Sequence, residues 1–169
     1  MSHVTEGREA GVTPGLRHDV QIEAAAFAQG TGILTLDGIL PVEYLSPGDR
    51  IVTRAGAMRL LAVHVHTADT PLIRVAPSSL GHDRPGHPLL LTPETEVLVR
   101  DWRASAMFGR AQAMVRAARL VDGDYVTRVT GAGVRMFTLK FASPQVIYAD
   151  GVEVGCAAVA TEAAVSTAA

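Results

Sequence analysis

The sequence predicts a mainly β domain with one short helix, and three observations carry that expectation. Short apolar runs recur at intervals of roughly 8–12 residues and are broken by Gly, Pro and Asp, as in all-β barrels and sandwiches. Only the stretch 104–120 places its apolar residues (Met107, Phe108, Ala111, Met114, Val115, Ala118) at helical spacing. A loose pattern, Leu-x-x-Gly-Asp-x-(Ile/Val), occurs at Leu45 to Ile51 and again at Leu120 to Val126. Such a repeat is expected of a domain built from two similar β halves.

Residues 1–23 carry Gly7, Gly11, Pro14 and Gly15 without any hydrophobic period and read as a flexible arm. Ile33 to Leu36 reads as a strand, and Asp37-Gly38 as the tight turn after it, because both residues tolerate positive φ. Ile51 to Thr53 is the next strand, stopped at Ala55-Gly56. Leu60 to His66 alternates, with Leu61, Val63 and Val65 on one face and His64 and His66 on the other. Leu72–Val75, Val97–Val99, Tyr125–Val129, Met136–Phe141 and Val146–Tyr148 complete the strand set. Residues 77–91 form a Pro/Gly/His-rich connection, and 157–169 an Ala-rich tail. In the repeat, Leu packs inward, Gly takes the positive-φ position, and Asp49 or Asp124 bonds nearby backbone as the strand begins.

Composition narrows the class. The chain has 169 residues, one domain's worth, and 48% are apolar. A chain of this size buries roughly 68–70% of its unfolded surface, so no staple is required. A single cysteine, Cys156, excludes an intramolecular disulfide and any site of several thiolates. Its small apolar neighbours make it a buried hydrophobe rather than a nucleophile. The net charge of −2, with fourteen of the fifteen basic residues being scattered arginines, argues against nucleic acid. No apolar run approaches the ~20 residues that span a bilayer, and the N-terminus lacks the pattern of a signal peptide. The expectation is a cytoplasmic protein that touches neither nucleic acid nor membrane.

Phe27-x-x-Gly30-Thr31-x-Ile33-x-Thr35-x-x-Gly38-x-x-Pro41-Val42-Glu43-x-Leu45-x-x-Gly48-Asp49-x-Ile51 resembles the opening of a Hint domain. That module is shared by the autoprocessing half of hedgehog proteins and by inteins, and the likeness is to its bacterial group. Leu91-Thr92-Pro93 with Val97–Val99 resembles the second block, Ala117–Val126 the repeat element, and Phe141–Gly151 the final block. The likeness runs over about residues 24–156. It implies a compact, mostly β fold with pseudo-two-fold symmetry and no cofactor. The chemistry it implies is an acyl shift, in which a Cys or Ser side chain attacks the carbonyl of the preceding residue. The nucleophile's position holds Ala26, the second-block histidine's position holds Thr95, and the final-block histidine's position holds Pro144. A methyl group cannot attack, and a threonine cannot shuttle protons near neutral pH as imidazole does. Thr92 keeps the second block's hydroxyl. The expectation is a pseudoenzyme, its autoprocessing lost, acting as a scaffold or peptide- or protein-binding module.

Rival readings stand beside this one. Residual self-cleavage would use a hydroxyl, Thr31 or Thr92, and would release an N-terminal peptide; against it, Thr92 reads as a hydrogen-bonding residue before Pro93. A metal-binding β domain would use His64 and His66, with His82, Asp83 or His87 from the loop as further ligands. Against that, Thr70 and Pro71 stand where a cupin would place its Glu, and the histidines also read as solvent-facing. Asp49 and Asp124 are carboxylates by type but sit where turns need them. Arg103, Arg110, Arg116 and Arg119, on the expected helix, form a surface for an acidic partner or an ordinary solvated face.

Overall fold

Two antiparallel sheets face one another across the core in a computed structural model that describes residues 25–159. The arm expected over 1–23 and the tail beyond residue 159 lie outside the described residues. The strands in chain order are β1 (Phe27–Ala28), β2 (Gly32–Thr35), β3 (Gly38–Pro41), β4 (Arg50–Thr53) and β5 (Gly56–Arg59). There follow β6 (Ala62–Thr67), β7 (Leu72–Val75), β8 (Leu89–Leu91) and β9 (Glu96–Val99), then the helix α1 (Trp102–Phe108). β10 (Ala113–Arg116), β11 (Val126–Val129), β12 (Arg135–Lys140), β13 (Gln145–Ala149) and β14 (Val152–Cys156) complete the set. The first sheet runs β11-β7-β8-β1-β12-β6, and the second β10-β9-β14-β13-β2-β4-β5 with β3 on β2. Among the described residues no helix is long and apolar enough to cross a membrane.

The repeat read from the sequence marks two similar halves. In each, a hairpin (β2–β3 or β9–β10) leads into a 3-10 helix (Val42–Tyr44 or Ala117–Leu120), then the Leu-x-x-Gly-Asp loop, then a strand (β4 or β11). Leu45 and Leu120 are buried, as are Ile51 and Val126. Gly48 and Gly123 take φ of +102° and +86°, where an L side chain is strained. The aspartates differ from expectation. Asp49 Oδ2 does accept the Ser46 N–H at 2.8 Å. In the second copy Asp122 does the work: its Oδ1 accepts the N–H groups of Asp124, Tyr125 and Val126 at 2.8–2.9 Å, and Asp124 is exposed.

The first hairpins share another device. Thr35 and Thr53 each donate their hydroxyl to the carbonyl of the glycine three residues on, at 2.7 Å, and each accepts the N–H two residues on, at 3.1 Å. The turn residues are therefore Leu36-Asp37, with Gly38 alone at positive φ, rather than Asp37-Gly38.

Phe27, Ile33, Ile51, Leu91, Phe137 and Val154 fill the main core between the sheets. A smaller cluster of Ala26, Ala28, Ala68, Leu72 and Met136 lies on the other face of the first sheet. Burying each large side chain contributes roughly 1.5–3 kcal/mol.

Three expectations are corrected. The helix expected over 104–120 is seven residues long and begins at Trp102. Asp101 caps it by accepting the Arg103 N–H, and Gly109, at φ +64°, ends it. Its supposed continuation is β10, claimed by backbone pairing to β9, because Met114 and Val115 satisfy strand alternation as well as helical spacing. The connection expected over 77–91 ends in β8, where Leu89 and Leu91 are buried. Finally, the face of β6 read as apolar is only partly covered: Val63 packs against the core, but Val65 is 51% exposed and Leu61, just before the strand, 40%, because β6 is the outermost strand of its sheet.

Candidate functional site

β1 is only two residues long, yet it joins both halves of the first sheet. Phe27 pairs with Leu91 on one side and Phe137 on the other, and its ring is wholly buried. That seating brings Ala26 alongside the segment after β8. There Pro93, with its fixed φ, helps close a turn in which the Thr95 N–H donates to Thr92 O at 3.1 Å. The turn stacks the two hydroxyls, with Thr92 Oγ1 2.7 Å from Thr95 Oγ1. Both oxygens accept the Ala26 N–H, at 3.2 Å and 3.3 Å, and the Thr92 N–H returns to Ala26 O at 3.4 Å. Ala26 and Thr95 are fully buried.

The structure therefore brings together three of the residues that the sequence singles out, Ala26, Thr92 and Thr95, on the peptide bond between residues 25 and 26. Two hydroxyl oxygens hold its amide nitrogen, and the side chain at residue 26 is a methyl. Holding is what this arrangement can do chemically. Neither threonine is a proton shuttle near neutral pH, and no nucleophile is built on residue 26.

The other sequence-predicted residues lie apart from this centre. Pro144 is exposed in the bend between β12 and β13. Thr31 is buried, and its hydroxyl donates to Ala28 O at 2.7 Å. Cys156, buried in β14, has its thiol pushed up to about 12 by burial. His64 and His66 are exposed on β6, opposite Thr138 and Met136. That register puts them on the Ala26 face, two strand spacings or roughly 9–10 Å away. His82 is exposed and 3.4 Å from Asp83 in the 77–88 loop. Among the described residues no three His, Cys, Asp or Glu side chains stand close enough to hold a metal ion.

The arginines expected on one helix face are dispersed, because α1 ends at Phe108. Of the four, Arg103 alone lies on α1, where it is tied to Asp101 and to Ser79 O, while Arg119 is on the second 3-10 helix. Arg116 pairs with Glu94 at 3.2 Å, and Arg119 lies 5.2 Å from the Phe108 ring centre. Arg110 stands in the link to β10.

Sequence reasoning missed Asp150, which follows β13 at φ +47°. Its Oδ1 accepts the Gly32 N–H at 3.1 Å in a cleft of about 410 Å³ lined also by His87, Ile39 and Leu90. Burial raises its carboxyl above the ordinary range, while the Gly32 hydrogen bond and His87 act the other way. The signal was present in Ala149-Asp150-Gly151, since Asp tolerates the left-handed region that Gly favours.

Comparison with known proteins adds the family. The sequence model of the Hint domain matches residues 25–158. A bacterial intein-like domain from Clostridium thermocellum superposes with a TM-score of 0.56 at 17% identity, over 76% of this chain and 96% of that one. The MchDnaB-1 intein in its N145AA form gives 0.52 at 18% identity, over 79% and 100%. The same intein in a second structure gives 0.51 at 17%, over 78% and 99%. At these identities the likeness shows the fold. No curated protein sequence matches the chain.

Proposed function

The chain belongs to the Hint-domain family, and from that premise we propose that it is a member silent in self-cleavage that serves as a protein- or peptide-binding scaffold. One observation carries this reading. The buried residue at the position of the family's nucleophile is Ala26, and its N–H is fastened to Thr92 and Thr95 rather than set beside an imidazole. An acyl shift needs an attacking heteroatom on residue 26 and a group to protonate the departing nitrogen, and neither is supplied. Thr31 gives no substitute nucleophile, because its hydroxyl is engaged with Ala28 O on the far side of β1. The Thr92 hydroxyl oxygen is engaged with the Ala26 N–H and with Thr95 Oγ1. A cytoplasmic location goes with this reading.

The test is the intact mass of the full chain, followed for days at neutral pH with and without hydroxylamine and thiol. An unchanged mass is expected. A product beginning at Ala26, formed at a rate independent of protein concentration, would overturn the reading. The double variant Ala26→Cys, Thr95→His is the positive control, expected to cleave before residue 26 on addition of thiol.

A further inference from the structure

The outer face of the second sheet carries a groove of about 620 Å³. Its floor is apolar: Val146 from β13, Leu98 from β9 and Met114 from β10, with Phe108 from the end of α1 closing one wall. Register explains the hollow. Leu98 pairs with Met114, and Gly155 of β14, which pairs with Val146, puts no side chain beside Met114. A Cβ added at Gly155 would meet the Met114 methyl at 3.4 Å.

The rim is cationic. Arg54, from the β4–β5 turn, and Arg110, before β10, both line the groove. Beside them Arg54, Arg84 and Arg100, from three separate segments, converge on one carboxylate, Glu153 of β14, whose side chain is buried. Arg54 approaches it at 3.2 Å and Arg84 at 3.9 Å, and Arg100 donates to it directly. Three guanidinium groups thus share one negative charge. The buried Arg84 Nη2 and Glu153 Oε2 both lack a hydrogen-bond partner, and no carboxylate among the described residues lies within 4 Å of Arg110. Guanidinium forks match carboxylates, and surplus forks around an apolar floor select a ligand that brings both acids and apolar groups.

We propose that this groove binds an acidic peptide segment of a protein partner, laid along the sheet with apolar side chains on Leu98, Met114 and Val146 and carboxylates on Arg54 and Arg110. The assignment rests on the scaffold reading above and gives it a place, on a face that does not include Ala26. A nucleic acid would satisfy the arginines, but the floor offers it one aromatic ring, Phe108, and the chain's net charge is −2.

The experiment is a two-dimensional NMR titration of the isotope-labelled full chain with an acetylated decapeptide of alternating Glu and Leu. Parallel titrations use the Lys-for-Glu peptide and a ten-nucleotide oligothymidine. Expected are shifts at the amides of Leu98, Arg110, Met114 and Val146, weakening with salt. Arg110→Glu should cut affinity about tenfold, by like-charge repulsion, whereas Arg128→Glu on β11 should leave it unchanged. No shift at the groove, equal binding of the Lys peptide, or an unaffected Arg110→Glu variant would each overturn the proposal. So would oligothymidine binding as tightly as the acidic peptide. Self-cleavage is judged separately by intact mass, so either reading can fail without the other.

Discussion

Thr31 and Thr95 hold the same place in the two halves of the domain. Each immediately precedes the first strand of a hairpin, and each donates its N–H to the carbonyl three residues back at 3.1 Å. The carbonyl of each accepts the first N–H of the 3-10 helix beyond that hairpin, from Val42 and Ala117 respectively, both at 2.8 Å. Only the hydroxyls part company. Thr31's closes its own turn on Ala28 O, while Thr95's reaches across the fold to the Ala26 N–H. The candidate site is thus one copy of a duplicated turn whose side chain has been put to a long-range use.

That arrangement predicts a non-additive pair. Thr95→Val or Thr92→Val alone leaves one hydroxyl on the Ala26 N–H and should cost about 1 kcal/mol in urea unfolding. Removing both leaves a buried donor unpaired, and the double variant should lose more than the sum, by about 1 kcal/mol. Strictly additive losses would mean that the two hydroxyls do not share the amide.

A second prediction separates neighbouring aspartates. Asp122→Ala removes the acceptor for three backbone N–H groups and should cost about 1 kcal/mol, whereas Asp124→Ala should stay within about 0.5 kcal/mol of the parent. The Asp122 carboxyl is held below its ordinary value of 3.8, chiefly by the Val126 N–H and then by those of Asp124 and Tyr125, with burial opposing them. A depressed carboxyl stabilises the fold above its unfolded pKa and loses that contribution as pH falls through the folded one. The gap between parent and Asp122→Ala in thermal melts should therefore be full at pH 7 and narrow below about pH 3.8. A gap that does not change with pH would refute the charge-assisted part of this account.

Asp150 should behave in the opposite sense. Its carboxyl is raised, first by burial, so the native state binds its proton more tightly than the unfolded chain does. Stability from this group is greatest when it is protonated and declines as pH rises through the unfolded value towards the folded one. Asp150→Asn keeps an oxygen for the Gly32 N–H and a side chain suited to φ +47°, without the buried charge. It should melt slightly higher than the parent at pH 7 and equally at pH 3. A lower melting temperature at pH 7 would mean that the charge itself, through His87, is needed in the cleft.

What was legible in the sequence was mostly local. Leu45, Gly48, Leu120 and Gly123 announce the duplicated loop, because packing inward and turning at positive φ are properties of a few adjacent residues. The strand at Leu72–Val75 was read to the residue for the same reason. Ala26, Thr92 and Thr95 were placed by their positions in the family's blocks. Their hydrogen bonds were not foreseeable, since they join residues 66 and 69 apart through the seating of β1. The misread element, β10, carries apolar residues that suit either period, and only the free edge of β9 decides between them. The repeat pattern points to Asp124, whereas the turn dipeptide Asp122-Gly123 carries the signal for Asp122. The groove was invisible, because it is assembled from residues on three strands, α1 and a turn.

The seating of β1 also orders events in time. Phe27 is among the first described residues to leave the ribosome, but its partners Leu91 and Phe137 follow it by 64 and 110 positions, as the pairing register gives. Until β12 has been made, β1 has only β8 to pair with and β6 has no partner in the first sheet. Contacts of such sequence separation form slowly. Among the described strands the first to be synthesised is therefore completed only when β12 arrives, and the segment around Ala26 stays half-paired until then.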